Sequence, residues 1–211
     1  MSYIFLVGAP GSRWSSVAAH IYESFDIDQT DASPEREYLG GPAFNDYKAK
    51  HSGSYFDPGM EFGNWFDNID KRNKKQNESE FNKPFSGILR RDKYRIIKSH
   101  TLAHNLQYIK TEWPNSKIVL AYRTNKKCFD WWMQAGGFEI SYPNYEWYEN
   151  EKKMKAEIAL QNKNIKAFMA VNKAKFNAID SFDTCNLLNI KCPIEGVYQS
   201  YKSEDIKVCV I

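Results

Sequence analysis

Hydrophobic positions along the chain form two kinds of pattern: short continuous runs, which predict buried strands, and stripes with helical spacing. The first run, residues 4–7, ends in Gly-Ala-Pro-Gly-Ser at residues 8–12, a sequence that does not continue a strand. Helical spacing begins after Arg13, at positions Trp14, Val17, Ala18 and Ile21. Residues 4–24 therefore predict a strand, a tight loop and a helix.

A strand, a helix and a second strand are predicted over residues 94–122. Residues 94–100 indicate a short strand, and residues 117–122 indicate an apolar strand that is followed by Arg123. Apolar positions at helical spacing lie between the two strands and end at Pro114. Units of this kind strongly favour a right-handed crossover and parallel pairing. The expected fold class is therefore α/β, with three layers and a mainly parallel sheet flanked by helices.

Three further helices and a last strand are predicted beyond Arg123. The helices cover residues 125–135, 151–175 and 179–188, and the strand, which we interpret as an edge strand, covers residues 206–211. In the first of these helices, the side chains expected to point inward are Phe129, Trp132 and Met133. The many lysines of the second helix either form a solvated face or contact an anionic partner.

The stretch from residue 25 to residue 92 has no strand periodicity, and it includes a polar run over residues 71–80. A connection of this length in a compact domain typically contains helices and a functional lid. One helix is expected to begin with Asp57 as its N-cap and Pro58 at its first position, and to continue to Ile69. The aromatic side chains of this stretch either line a substrate pocket or pack in the core.

The composition narrows the class of protein. With 211 residues, of which 42% are hydrophobic and 15% aromatic, the chain is expected to fold as one globular domain, residues 1–211. A net charge of +3 is too small to indicate a nucleic-acid partner. No apolar run has the length of a membrane span, and the N-terminal run is too short for a signal peptide. We therefore expect a soluble, cytoplasmic protein with no membrane partner.

Cysteine and histidine usage indicates neither disulfides nor a metal. The four cysteines form no C-x-x-C pair, and we interpret them as reduced thiols in packing roles. They are Cys128, Cys185, Cys192 and Cys209. Among the histidines, only His100 and His104 stand at the spacing of zinc ligands. The expectation is that the chain has no metal site.

Groups that can bind or react follow each of the three predicted parallel strands. The loop at residues 8–12 points backbone N–H groups and the positive end of a helix dipole at one spot, which suits a phosphate. Lys98 and His100 share a face at the end of the second strand, and Arg123 follows the third. Because ligands bind outside the carboxyl ends of such strands, the coincidence predicts one site. Taken singly, each has a structural explanation: an ordinary turn, a satisfied histidine, a solvated Lys98, or Arg123 in a salt bridge.

These residues resemble motifs of the sulfotransferase family, whose donor is 3'-phosphoadenosine 5'-phosphosulfate (PAPS). In that family a Pro-Lys/Arg-Ser-Gly-Thr-Thr-Trp loop binds the donor's 5'-phosphosulfate. The similar stretch here is Pro10, Gly11, Ser12, Arg13, Trp14, Ser15 and Ser16. Lys98 and His100 are similar to a Lys-Thr-His segment whose histidine is the catalytic base, and Arg123 is similar to an arginine that holds the donor's 3'-phosphate.

The resemblance implies one domain of P-loop NTPase-like, sulfotransferase architecture, in which residues 25–92 form a lid on the acceptor side. It implies transfer of a sulfuryl group from PAPS to a hydroxyl or amine of a small-molecule or glycan acceptor, without a metal. The product nucleotide is 3'-phosphoadenosine 5'-phosphate (PAP). His100 would act as general base, and Lys98 and Arg13 would stabilise charge on the leaving side. Arg123 would hold the 3'-phosphate by a bidentate contact.

Three positions depart from the family's pattern. Gly11 stands where the family places its loop cation, Arg13 where it has glycine, and Trp131 where it has a serine for the 3'-phosphate. These departures keep open a second hypothesis, a degenerate nucleotide-binding or interaction protein without turnover. A third hypothesis, a P-loop nucleotide kinase or other NTPase, lacks support because the Gly-x-x-x-x-Gly-Lys-Ser/Thr loop is absent. The sequence identifies neither the acceptor nor the oligomeric state.

Overall fold

The structure, a computed structural model, contains both strands and helices among the residues that it describes. These are residues 2–22, 24, 26–31, 37–39, 48–50, 54–55, 65–88, 90–139, 146–179, 181–191 and 205–211. The strands are β1 (Tyr3–Gly8), β2 (Glu37–Leu39), β3 (Lys48–Lys50), β4 (Ser54–Tyr55), β5 (Arg95–Lys98), β6 (Lys117–Tyr122), β7 (Asn177–Ala178) and β8 (Lys207–Val210). The α-helices are α1 (Trp14–Tyr22), α2 (Lys74–Asn82), α3 (Leu106–Glu112), α4 (Asn125–Gln134), α5 (Glu151–Val171) and α6 (Ser181–Leu188).

β1 lies inside a six-stranded sheet with the order β4-β5-β1-β6-β8-β7. The strands β4, β5, β1 and β6 run parallel, whereas β8 is antiparallel to β6 and β7 is antiparallel to β8. β2 and β3 form a separate antiparallel pair. Every residue of β1 is buried, because helices cover both faces of the sheet. The expected α/β fold with a mainly parallel sheet is confirmed.

Side chains of β1 alternate between two hydrophobic cores. Tyr3, Phe5 and Val7 pack with residues of α2, α3 and α5 on one face of the sheet. Ile4 and Leu6 pack with residues of α1 and α6 on the other face. The three expected layers are therefore present, with the sheet in the middle. None of the helices in the described ranges combines the length and the hydropathy needed to cross a bilayer.

A third, smaller cluster holds the loop after β1 against two helices. Ala9 packs with Cys128 and Trp132 of α4 and with Met154 and Ile158 of α5. The loop is thus fixed from the side of α4 and α5 as well as by the strand that it leaves. This segment belongs to the core and is not a surface connection.

The pairing of strands differs from the sequence-based expectation at two places. β5 and β6 are parallel, as predicted, but they are not neighbours because β1 lies between them. β8 lies between β6 and β7, and the two-residue β7 is the edge strand. The interpretation of residues 206–211 as an edge strand is therefore wrong. Apolar runs identify strands, but they carry little information on which strands pair.

The stretch from residue 25 to residue 92 is more regular than its pattern indicates. It contains β2, β3 and β4, and its polar run forms α2. This helix begins at a capping box between Asn73 and Gln76, and its buried side chains are Asn77 and Phe81. With only these two buried side chains, α2 has no apolar stripe by which helical periodicity could identify it. The Asn-x-x-Gln spacing of the capping box is the one sequence signal for this helix.

Other helices match their predictions in part. The first part of the helix expected to begin at Asp57, up to residue 64, lies outside the described residues. Its last part is a 3₁₀ segment, Trp65–Lys71, in which Phe66 and Ile69 are buried. In α4, the inward orientation of Met133 is wrong, because its side chain is 43% exposed. The buried residues of α4 are Cys128 and Trp132. α5 begins where predicted and ends four residues earlier than expected, at Val171.

The described cysteines are free thiols. Cys128, Cys185 and Cys209 are buried, as their predicted packing role requires, and Cys192 lies outside the described residues. Burial raises the pKa of the Cys128 thiol to about 12. At neutral pH this group is therefore a protonated, unreactive packing residue of α4.

A buried ion pair joins β5 to the segment after α1. The guanidinium of Arg95, only 2% exposed, contacts Asp28 Oδ2 at 2.8 Å and also donates to Asn82 Oδ1 and to the Gly87 carbonyl. Burial raises the pKa of the Asp28 carboxyl, but hydrogen bonds from Thr30 and Arg95 outweigh burial and hold that pKa below its usual 3.8. The folded state therefore favours the carboxylate form of Asp28.

Asp28→Asn is expected to lower the free energy of unfolding by about 3 kcal/mol at neutral pH, because it leaves the Arg95 charge buried without its carboxylate. Since the pKa of Asp28 is lower in the folded than in the unfolded state, its contribution is complete above about pH 4 and is lost as the pH falls through the folded-state pKa. Urea denaturation at several pH values should show the gap between wild type and variant narrowing in acid. Asp92→Asn, which breaks an exposed pair with Arg90, is the control and should change stability far less. Equal losses for the two variants would contradict this role of Asp28.

Candidate functional site

The carboxyl ends of β1, β5 and β6 meet at one edge of the sheet. Leu6 of β1 lies beside Lys98 at the end of β5, and Gly8 at the end of β1 lies beside Ala121 of β6. The loop after β1, the segment that begins at Ser99, and the residues that follow Tyr122 therefore leave the sheet together. The topology brings the three predicted groups to the same edge.

The predicted donor-binding residues lie where β1 passes into α1. Pro10 and Gly11 form a turn, which the Ser12 N–H closes by donating to the Ala9 carbonyl at 2.9 Å. Gly11 and Arg13 have positive φ angles of 75° and 61°. A left-handed backbone at Arg13 gives a physical reason why glycine suits that position. The remaining three predicted residues begin α1: Trp14, Ser15 and Ser16.

The loop is packed against α4 and contains a buried hydroxyl. A Cβ atom added at Gly11 would overlap with the carbonyl oxygen of Cys128, so the loop backbone lies directly on the helix backbone. The Ser12 side chain is fully buried beside Gly8, and its Oγ has no hydrogen-bond partner among the described residues. Buried hydroxyls normally have a partner, so this Oγ favours a polar group bound at the loop.

His100 contacts the loop directly. Its Nδ1 forms a hydrogen bond with the Gly8 carbonyl, and its ring stacks on Trp14 with centroids 3.9 Å apart and planes 21° apart. A carbonyl only accepts, so in the neutral imidazole Nδ1 carries the proton and Nε2 is the basic nitrogen. The side chain is 6% exposed. The loop therefore fixes both the orientation and the tautomer of this histidine.

Lys98 is buried at the end of β5, with 1% of its surface exposed. The alternative of a solvated Lys98 is therefore wrong. Alternation along the strand gives Lys98 the face of Ile96, which packs in the α1 core, and His100 stacks on Trp14 of the same core. The expected common face of Lys98 and His100 is thus consistent with the packing of both neighbours.

Two departures from the sulfotransferase pattern contact each other. The guanidinium carbon of Arg13 lies 4.5 Å from the centre of the Trp131 ring, and that of Arg123 lies 5.8 Å from the same centre. Trp131 of α4 therefore holds two arginines, one from the loop and one from the end of β6, beside the candidate site. The Arg13–Trp131 contact is within the range of cation–π attraction.

Arg123 links the loop to the C-terminal segment. Its Nη2 and Nε donate to Asp205 Oδ2 at 2.6 and 3.1 Å, and its Nη1 donates to the Gly11 carbonyl at 3.2 Å. Lys127 Nζ also lies 3.2 Å from Asp205 Oδ2. The alternative that placed Arg123 in a salt bridge is confirmed. A guanidinium has five N–H groups, and three of those of Arg123 make these hydrogen bonds. The remaining N–H groups can donate to an anion.

Helix α5 contributes buried polar groups that the sequence pattern does not predict as site residues. Asn162 donates from Nδ2 to the Arg123 carbonyl at 3.1 Å and to Asn125 Oδ1 at 2.7 Å. Gln161 and Asn162 are buried, and the oxygens Gln161 Oε1 and Asn162 Oδ1 have no hydrogen-bond partner among the described residues. In the sequence, the signal for these two residues is that they are polar but lie within the apolar stripe of α5, between Ile158 and Ile165.

His104 differs from His100 in its partners. Its Nε2 lies 2.7 Å from Glu157 Oε1, and its Nδ1 accepts from Asn164 Nδ2 at 3.1 Å. Burial raises the pKa of Glu157, but hydrogen bonds from His104 and Gln161 lower it by more, so this carboxyl is ionised over a wider pH range than usual. Both ring nitrogens of His104 are engaged, which gives it a structural role.

The loop residues suit an anionic group, whereas an anion at Arg123 would share the guanidinium with a carboxylate. The Ser12 hydroxyl, the first turn of α1 and the Arg13 guanidinium lie at the loop, where a 5'-phosphosulfate would bind. At Arg123, a phosphate would share the guanidinium with Asp205. Within the described ranges, no group of three or more His, Cys, Asp or Glu side chains is arranged to hold a metal ion.

Comparison of the chain with protein-family models, with curated proteins and with solved structures found no significant match in any of the three.

Proposed function

We propose that this protein is a sulfotransferase of P-loop NTPase-like architecture, which transfers a sulfuryl group from PAPS to a hydroxyl or amine acceptor. The observation that carries the proposal is the direct contact of His100 with the loop, through the Gly8 carbonyl and the Trp14 ring. A base thereby adjoins an anion-binding loop. The position of β1 between β5 and β6, with the loop leading from β1 into α1, supports the proposed architecture.

His100 is the proposed general base. With its Nδ1 proton directed at Gly8, the imidazole presents Nε2 as the acceptor of a proton, and a neutral histidine is suited to this work near neutral pH. As the acceptor oxygen or nitrogen bonds to sulfur, its proton passes to Nε2. The bond between sulfur and the bridging oxygen breaks, and PAP leaves with the electron pair.

Positive charge beside the loop would stabilise the leaving nucleotide. Arg13 is held over Trp131, which keeps its guanidinium close to the loop, and the side chain of Lys98 is buried at the end of the neighbouring strand. Charges fixed in a site that excludes water act more strongly than charges in solvent. Arg13 and Lys98 are thus the proposed electrostatic stabilisers, and the N-terminal turn of α1 adds the dipole of the helix.

A nucleotide-binding protein without turnover is the second candidate, and Asp205 is the observation that favours it. Its carboxylate takes two bonds from Arg123, the residue expected to hold the 3'-phosphate. A phosphate bound there meets a like charge. Such a site could still bind nucleotide while holding it in a position unsuited to transfer.

Transfer of labelled sulfate from PAPS to a panel of phenols, alcohols, amines and sugars separates the two candidates. A sulfotransferase releases PAP in amounts that match the sulfated acceptor, and release stays low when no acceptor is present. Binding of PAP without turnover of PAPS on any acceptor of the panel would instead support the second candidate.

A further inference from the structure

A cleft of about 620 Å³ lies between the end of β6, helix α5 and strand β8. The residues that line it include Tyr122, Lys127, Lys166, Phe176, Asp205 and Lys207. The donor loop, Lys98 and His100 are not among its lining residues. Its volume is that of a typical small-molecule site.

The cleft carries an excess of positive charge. Among the described residues that line it, three are lysines and Asp205 is the one carboxylate. Asp205 is paired with Arg123 and Lys127, which lie 2.6 and 3.2 Å from its Oδ2. Within the described residues, Lys166 and Lys207 have no carboxylate partner. Their ammonium groups are therefore available to an anion from solution.

Aromatic rings form one wall of the cleft. Tyr122 and Phe176 stack with their centroids 4.8 Å apart and their planes 27° apart, and Lys166 Nζ lies 4.8 Å from the centre of the Tyr122 ring. Phe176 is only partly buried, so this wall offers apolar ring surface beside the two lysines. A planar ring and a phosphate within one molecule match these two features.

We propose that this cleft binds a phosphate ester of mononucleotide size, with its phosphate on Lys166 and Lys207 and its planar ring against Tyr122 and Phe176. This gives an anionic partner to Lys166, one of the α5 lysines for which the sequence leaves a choice between a solvated face and an anionic partner. The loop, Lys98 and His100 do not line this site, and its proposed ligand does not rest on the proposed sulfotransferase function.

Isothermal titration of the full chain with adenosine 5'-monophosphate tests the proposal. The double variant Lys166→Gln, Lys207→Gln is expected to bind this nucleotide about tenfold or more weakly than wild type, because two charge-assisted phosphate contacts are lost. The control is Lys152→Gln, Lys163→Gln, which removes the same charge from exposed positions of α5 and should bind within about twofold of wild type.

Ribose 5-phosphate, which has no base, tests the role of the aromatic wall. It is expected to bind wild type about tenfold more weakly than the nucleotide, since it lacks the stacking contribution of a base. Three results would overturn the proposal: no binding of the nucleotide to wild type at millimolar concentration, equal weakening in the two double variants, or unchanged affinity in Lys166→Gln, Lys207→Gln. Equal affinity for the two ligands would overturn the assignment of a planar ring.

Discussion

Replacing His100 with alanine is expected to lower acceptor-dependent turnover of PAPS by about 100-fold or more, which is the usual contribution of a positioned general base. The binding of PAP should stay within about twofold of wild type, because the loop, Arg13 and Arg123 remain. Steady-state kinetics with saturating donor measure the first effect, and calorimetry with PAP measures the second. A variant that retains more than a third of the wild-type turnover number would contradict a catalytic role for His100.

Two further variants separate catalysis from packing at this position. His100→Asn retains an amide that can donate to the Gly8 carbonyl, but it has no basic nitrogen, so it should be as inactive as His100→Ala while folding normally. His104→Ala removes the other histidine of the same segment, whose nitrogens are both engaged with Glu157 and Asn164. It should keep turnover within about threefold of wild type, since His104 has no proposed part in the chemistry.

Gly11→Ala is expected to lower the free energy of unfolding by about 4 kcal/mol. Its backbone has a φ of 75°, and the added Cβ would overlap with the Cys128 carbonyl oxygen of α4. Either the loop or α4 would have to move, and the loop also carries the Gly11 carbonyl that accepts from Arg123. Chemical denaturation measures the loss, and binding of PAP should fall with it.

Gly87→Ala is the matched control for this prediction. Gly87 has nearly the same backbone angle, a φ of 76°, but no atom of the described residues lies within 4 Å of an added Cβ. It should therefore show only the cost of a left-handed backbone, about 1 kcal/mol. The difference between the two variants isolates the close contact between the loop and α4. Similar losses for both variants would contradict that contact.

The local elements of the fold could be predicted from the sequence where hydrophobic burial alone determines them. β1 and β6 follow directly from apolar runs, because the side chains of each strand are buried in the cores on both faces of the sheet, and α1 follows from an apolar stripe that packs in one of these cores. α2 could not be found in this way, since it buries only Asn77 and Phe81 and is specified by its capping box. The inner place of β8 depends on pairing between distant segments, which a local pattern does not encode.

The candidate site could be predicted only as far as its strand ends. The loop, Lys98, His100 and Arg123 were identifiable because each follows a predicted strand, and parallel strands bring their carboxyl ends together. Asp205 gave no such signal, since it pairs with a residue 82 positions away and belongs to no periodic segment. Its contact changes the interpretation of Arg123 from a free phosphate ligand to a shared one.

Structure also changes the meaning of the loop's unusual residues. From the sequence, Arg13 and Trp131 are two independent departures from the sulfotransferase pattern. In the fold they form one contact, with the Arg13 guanidinium 4.5 Å from the Trp131 ring centre. Gly11 replaces the loop cation of the family's pattern, and Arg13, two residues later, places a cation beside the loop. We expect both residues to affect the same property, the affinity for the donor's 5'-phosphosulfate.

The most direct test of the sulfotransferase proposal is thermal unfolding of the Lys166→Gln, Lys207→Gln variant with millimolar PAP, ATP or GTP. These substitutions remove the second nucleotide site proposed above, so that a shift reports on the loop. PAP at about 100 times its dissociation constant should add about 2.7 kcal/mol of stability, which corresponds to roughly 5–10 °C, while ATP and GTP should have little effect. No shift with PAP, together with stabilisation by ATP or GTP, would contradict the proposal in favour of an NTPase.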